Sequence, residues 1–284
     1  AYEARARAVA PLSAMDSGVG RLADRYLGVA PRDPAVAACL AVWLDSWASA
    51  GAMLGRVTTQ GGFERKWTLA ALALAYGALA DASEIPAEQR ARIEAWLADA
   101  AWAMVPYYAR RPFVEQNNHV NWAALAALAA AAASGDRALF DWGIAAARGA
   151  LAMVGSDGSL AAELARKSKA LHYHKFSIEP LVLAEAIATA NGVALASENG
   201  GALARLASFV LAGMDAPQTV AARVGATQEF VGADRIGPAM YAWSEIYPAR
   251  HPDPALAARL AALRPPGGFA VNWLGGNLTL RWSP

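Results

Sequence analysis

Twelve consecutive apolar residues, Trp122 to Ala133, limit what this chain can become. The run is too short to cross a bilayer, which takes about 20 residues, so a helix buried in protein accounts for it. The rest of the chain agrees. Of 284 residues, 56% are hydrophobic, many of them alanine, and 17% are charged. Such a composition supports a large core and excludes intrinsic disorder. A formal net charge of +1 advertises no nucleic-acid partner, so attraction for any anion has to be local. No membrane insertion is expected. The lone Cys39 permits no intrachain disulfide and is expected as a small core residue.

Most other segments carry helical spacing. Pro34 takes a permitted first-turn position for a helix over about 35–50. Residues 51–62, with four glycines, read as a loop. Helices follow over about 63–80, 87–107, 120–133, 136–154, 178–190, 201–213, 237–249 and 254–263. Only the tail, 269–282, looks strand-like. About ten helices with short connections and no strand–helix alternation give an all-α chain. That number suits a closed or nearly closed α/α toroid in one domain, residues 1–284, better than a four-helix bundle.

Two polar islands interrupt this apolar background. Arg166 to Lys175 holds six basic or imidazole side chains and Tyr173 within ten residues. The other island is Glu115 to His119. Asn117 or Asn118 can cap the helix that follows. A His119 in the first helical turn would sit at a positive helix end, which favours an anion and disfavours an imidazolium. A plain cap with a histidine beside it explains the same residues. In the second island, Arg166 and Tyr173 are seven apart and share a face if the segment is helical. A solvated basic face would explain Lys167 and Lys169 but not a tyrosine between His172 and His174. Those two histidines could be read as metal ligands, although no carboxylate or cysteine cluster completes a shell. Asp157 and Glu163 could be read as a glycosidase acid/base pair, although a Ser-Asp-Gly turn explains Asp157 more simply.

Together the islands suit one reaction. Removing the proton next to a carboxylate requires that the carboxylate be neutralised, that a base take the proton, and that an acid meet the leaving oxygen. Asn118 and Arg166 suit neutralisation; His119 and Tyr173 suit proton transfer. This is β-elimination on a uronic-acid polysaccharide. A non-catalytic alginate-binding protein is the rival from another class.

The motifs Arg65-Lys66-Trp67, Asn117-Asn118-His119 with Trp122, Asp157-Gly158 leading to Glu163-Leu164, Arg166 with Tyr173-His174, Asn191-Gly192-Val193 and Leu274-Gly275-Gly276 occur in this order. In them the chain resembles the mannuronate-specific alginate lyases of polysaccharide lyase family 5. The resemblance implies an incomplete α/α toroid with a central groove, a periplasmic or secreted place of action, no metal or other cofactor, and an alginate substrate. A monomer is expected. Asn118 and Arg166 would neutralise the substrate carboxylate and Tyr173 would transfer protons beside His119. Gln60, Trp67, Trp122, Lys169 and His172 become candidate groove residues. The chain departs from the family at Asn121, at Trp273, and at Phe63, where some members carry tyrosine. Those departures leave polyglucuronate or hyaluronan as alternative substrates.

Overall fold

The structure is a computed structural model and describes residues 2–229 and 238–282. Its helices in chain order are α1 (Tyr2–Leu27), α2 (Pro34–Ser49), α3 (Thr59–Tyr76), α4 (Ala87–Trp102), α5 (Val105–Tyr108), α6 (Asn118–Ser134), α7 (Arg137–Ala152), α8 (Ala161–Leu164), α9 (Ala170–Ala190), α10 (Ala202–Asp215), α11 (Pro217–Val224), α12 (Ile246–Arg250) and α13 (Pro254–Leu263). The tail adds β1 (Ala270–Val271), β2 (Gly276–Asn277) and α14 (Leu278–Trp282). The anticipated helix over 237–249 begins at Gly237, outside the described residues. Within them it is a 3-10 segment, Pro238–Glu245, followed by α12.

Two rings arise from the burial pattern. Helix α6 is buried on nearly every side, from Val120 to Ala131, and packs between α3 and α9, while α3 packs in turn on α1. These four form the inner ring. Helices α2, α4, α7 and α10 have one buried face each and touch in that order around the outside. The result is an incomplete α/α toroid. The 3-10 segment, α12 and the tail occupy the remaining arc, where α14 returns to α1. Gly276 permits that return: at φ 119° it suits only glycine, and a Cβ there would lie 2.5 Å from the Asp24 carboxylate. Asp24 accepts hydrogen bonds from the Asn277 N–H at 2.9 Å and from Arg281 at 3.4 Å.

Several details differ from the sequence expectations. Cys39 is exposed, not core. The inward face of α2 is Val36, Ala37, Leu40, Ala41 and Leu44, and position 39 falls on the opposite side. The tail strands are two residues long, and the apolar run that follows them is helical. Helix α3 starts at Thr59 because the Thr58 hydroxyl caps it, accepting from the Gly61 N–H at 3.1 Å. Helix α9 starts eight residues before 178 and runs through Pro180. A proline there withdraws the N–H that would serve the Phe176 carbonyl. The Trp122 indole N–H supplies it instead at 3.0 Å, and Asn121 Nδ2 donates to the next carbonyl, Ser177, at 3.1 Å. Left unmet, such a buried carbonyl costs about 1–3 kcal/mol. Trp122 is therefore fully buried and presents no face to a sugar; its place as a groove residue is withdrawn. Among the described residues, no helix is long and apolar enough to cross a membrane.

Candidate active site

Helices α3, α6 and α9 run parallel, so their N-termini meet at one end of the toroid. At that end Lys66 of α3 meets His119 of α6, and Trp67 and Trp122 meet Phe176 of α9. At the opposite end the last turns of all three line a cavity of about 630 Å³ with Tyr76, Ala133 and Ile187. That cavity is the larger one, but it holds none of the anticipated chemistry. Parallel N-termini set three positive dipole ends on one side, a setting that favours an anion.

Asn117 caps α6, its Oδ1 accepting from the His119 N–H at 3.1 Å. This places His119 in the first turn. Its ring stacks on Phe63, with centroids 3.8 Å apart and planes 12° from parallel. Its Nδ1 lies 3.0 Å from Lys66 Nζ. Burial, then the charges of Lys66 and Arg166, push the imidazole down to about 3 from an ordinary 6.5. His119 is thus neutral at any working pH. Lys66 is fully buried, and its Nζ sits over the rings of Phe63 at 4.4 Å and Trp67 at 4.2 Å. Burial pushes its ammonium well below the usual lysine range. The proton arrangement follows from that charge. An ammonium donates to Nδ1 and leaves the imidazole hydrogen on Nε2; a neutral amine accepts from Nδ1 and frees Nε2.

Lys66→Met is expected to raise the His119 pKa, because one of its two neighbouring cations is gone. Burial and Arg166 remain, so the value should stay below 6.5. A depressed imidazole contributes stability that is complete above about 6.5 and is lost as the pH falls toward the folded value. The substitution should narrow that window from its acid side. Imidazole shifts followed by NMR through an acid titration would measure it; an unmoved His119 would remove Lys66 as a cause.

Glu163 joins the two islands. It is fully buried, and its Oε1 accepts from the Asn118 N–H at 3.0 Å and from Asn118 Nδ2 at 2.9 Å. Its Oε2 lies 3.7 Å from Arg166 Nε. Burial raises the carboxyl, and the Asn118 hydrogen bonds and Arg166 oppose the rise. Asn118 is also buried, and its Oδ1 has no hydrogen-bond partner among the described residues. The Arg166 guanidinium lies 4.9 Å from the centre of the Tyr173 ring. Tyr173 and its neighbour His172 are half-buried, with ring centroids 5.2 Å apart. The structure therefore brings Asn118, His119, Arg166 and Tyr173 into one neighbourhood.

The other candidates divide. Trp67 lies against His119 and Phe176. His172 is lowered by burial and then by Lys175 and Lys169. Lys169 is exposed, 4.0 Å from the Glu229 carboxylate. Gln60 donates to Glu64 at 2.7 Å and lines a different cavity, one that His119 does not line. His174 is fully buried and is no metal ligand: Nε2 accepts from the Leu160 N–H at 2.9 Å, and Nδ1 is 2.7 Å from the Ala170 carbonyl. Asp157 belongs to its turn, bonded to Ser159 and paired with Arg223 at 2.6 Å. Among the described residues, no group of three or more His, Cys, Asp or Glu side chains is placed to hold a metal ion.

Sequence reasoning passed over Lys66 as part of this neighbourhood and Gln228 as its fastening; it met Phe63 only as a departure from the family and Glu163 only as a motif residue and a glycosidase alternative. Gln228 accepts from the Leu171 N–H at 2.9 Å and donates to the Lys167 carbonyl at 3.1 Å. It holds the start of α9, where Lys167 takes a φ of 57°. The Lys66 position was visible in a motif, but burial of its ammonium had no local signal.

A family model described as alginate lyase matches residues 23–220. An alginate lyase of Azotobacter vinelandii is 38% identical, over 97% of this chain and 74% of its own length. A polysaccharide lyase of Stenotrophomonas maltophilia is 36% identical, over 96% of this chain and 79% of its own. Among solved structures, alginate lyase A1-III from Sphingomonas species A1 matches with a TM-score of 0.82 and 25% identity, over 95% of this chain and 75% of that one. A tyrosine-to-phenylalanine variant of A1-III, complexed with tetrasaccharide, matches at 0.86 and 24%, over 98% and 77%.

Proposed function

The chain belongs to the alginate lyase family, and from that membership we propose that it cleaves poly-β-D-mannuronate by β-elimination. That it is an alginate lyase, a polysaccharide lyase, rests on the family match and on relatives along almost the whole chain. The finer mechanism rests on one observation above the rest: Tyr173 lies under the Arg166 guanidinium, whose charge, after burial and Lys66, also holds His119 neutral.

In this mechanism Arg166 and the uncommitted N–H of Asn118 bind the carboxylate of the unit to be cleaved. Their hydrogen bonds, with the three helix N-termini, stabilise the charge that gathers on that carboxylate as the proton at C5 leaves. The C5–H electron pair forms the C4=C5 double bond, the C4–O bond breaks, and the leaving oxygen takes a proton. In mannuronan that proton and that oxygen lie on the same side of the ring. One tyrosine oxygen, entering the step without its proton, can then remove the first and, now a phenol, protonate the second. The single tyrosine between the two polar islands supports this assignment. His119 sits beside it and shares the base role when Nε2 is free. A tyrosine variant and a histidine variant of A1-III were both solved with tetrasaccharide, which supports an oligosaccharide groove in the same fold here. Action in the periplasm or outside the cell, as a monomer, completes the proposal.

Purified protein should be given mannuronan, guluronan, polyglucuronate and hyaluronan in parallel, with ultraviolet absorbance followed for the conjugated double bond. Absorbance rising fastest on mannuronan is expected. New reducing ends without absorbance would mean hydrolysis, and faster cleavage of another polymer would overturn the mannuronate preference.

A further inference from the structure

A cavity of about 480 Å³ opens beside His119 on the side away from α9, with Asn117 at its near end and Arg110 and Arg111 among its walls. Its size falls within the range of small-molecule sites, roughly 300–1,000 Å³. We propose that it is a uronate subsite next to the cleavage point, in which Arg110 and Arg111 bind carboxylates of flanking sugar units and Tyr107 offers a face for one pyranose ring. This rests on the lyase mechanism above and extends it to residues outside the two polar islands.

Three observations converge. First, an aromatic path links the chemistry to the cavity. His119 stacks on Phe63 at 3.8 Å, Phe63 meets the Tyr107 ring edge-on at 6.2 Å, and the Arg110 guanidinium lies 5.9 Å from the Tyr107 ring centre. Tyr107 is 45% exposed, a large share for an aromatic side chain with no need to face water. A sugar ring presents an apolar C–H face to such a surface. Secondly, Arg110 and Arg111 are exposed, and neither forms an ion pair among the described residues. Exposed charges of this kind add little to the fold. A guanidinium fork fits a carboxylate through two parallel hydrogen bonds, and every unit of a polyuronide carries one. Among the described residues Glu115 is the one carboxylate on the lining, so the arginines outnumber it there. Thirdly, Tyr108 lines the same cavity, is 2% exposed, and has a hydroxyl without a partner among the described residues. A buried hydroxyl in that state is short of one hydrogen bond, so the wall of the cavity holds an unmet polar group just behind its surface.

The test is a double variant, Arg110→Ala with Arg111→Ala, assayed on mannuronate oligomers of increasing length. In the parent protein, KM should fall as the oligomer grows long enough to fill the cavity. In the double variant that length dependence should flatten, leaving KM on long oligomers about tenfold higher with kcat largely kept. Lys at both positions should recover part of the loss, at low salt more than at high salt. The same pair of changes in a Tyr173→Phe background should weaken binding of a mannuronate hexamer by calorimetry to a similar degree. An unchanged KM and unchanged hexamer affinity would overturn the subsite. So would a fall in kcat equal at every length, which would mark a structural role. Absence of any unsaturated product from the parent would count against the lyase mechanism alone, because the calorimetric arm reads the subsite without turnover.

Discussion

Tyr173→Phe is expected to abolish turnover of mannuronan while leaving its affinity for the polymer close to that of the parent. The substitution removes one oxygen. The ring can keep its place under the Arg166 guanidinium at 4.9 Å and its edge contacts with His172 and Phe176, so the groove and the melting temperature should change little. Proton transfer by a positioned side chain contributes about 10²–10⁴-fold. In the proposed mechanism the same oxygen serves twice, as base toward C5 and as acid toward the leaving oxygen, so the loss should lie at or beyond the upper end of that range. Ultraviolet absorbance under single-turnover conditions reads the chemistry, and calorimetry with an oligomannuronate reads the binding. Retention of more than a few per cent of activity would shift the base role to His119. The paired change His119→Gln would then become the deeper loss.

The fold and this site were legible in the sequence to different depths, and the reason is the range over which each signal acts. Helix spacing and caps are local. The buried run at 122–133 and a cap at Asn117 or Asn118 could therefore be read directly, and so could the succession of long helices that makes a toroid. The convergence of Asn118 and His119 with Arg166 and Tyr173 was legible as chemistry, because those side chain types have one economical use together. Other features depend on partners far along the chain. Helix α9 passes through Pro180 because Trp122 of α6, 54 residues from Phe176, serves the carbonyl that the proline abandons. Seen locally, that proline marks a helix start, and that tryptophan is as good a sugar platform as any other. The start of α9 is fastened by Gln228, 57 residues beyond Leu171. Lys66 looks like a flank of an amphipathic helix until His119 and two aromatic rings close over it. Glu163 gives no sign from its neighbours that Asn118 will donate to it twice.

That buried carboxylate bears directly on Arg166→Ala, expected to lower kcat about 10²–10³-fold, the usual cost of removing one donor from a developing anion. Half of the expectation is loss of the carboxylate partner itself. The rest comes from position, because Arg166 lies between the Glu163 Oε2 at 3.7 Å and the Tyr173 ring at 4.9 Å. The Arg166 side chain is 40% exposed, and the buried Glu163 it leaves keeps two hydrogen bonds from Asn118, so the fold should hold, with the Glu163 carboxyl raised further. Arg166→Lys separates the two contributions. A lysine keeps the charge but loses the planar fork that can face a carboxylate and cover a ring together, so its rate should fall between parent and alanine. His119 supplies an independent check. Arg166 is one of the charges that depress its imidazole, so its pKa should rise in the alanine variant and hold nearer the parent value in the lysine variant. A lysine variant with full activity would reduce Arg166 to a point charge. An alanine variant with full activity would mean that Asn118 and the helix N-termini neutralise the substrate carboxylate without it.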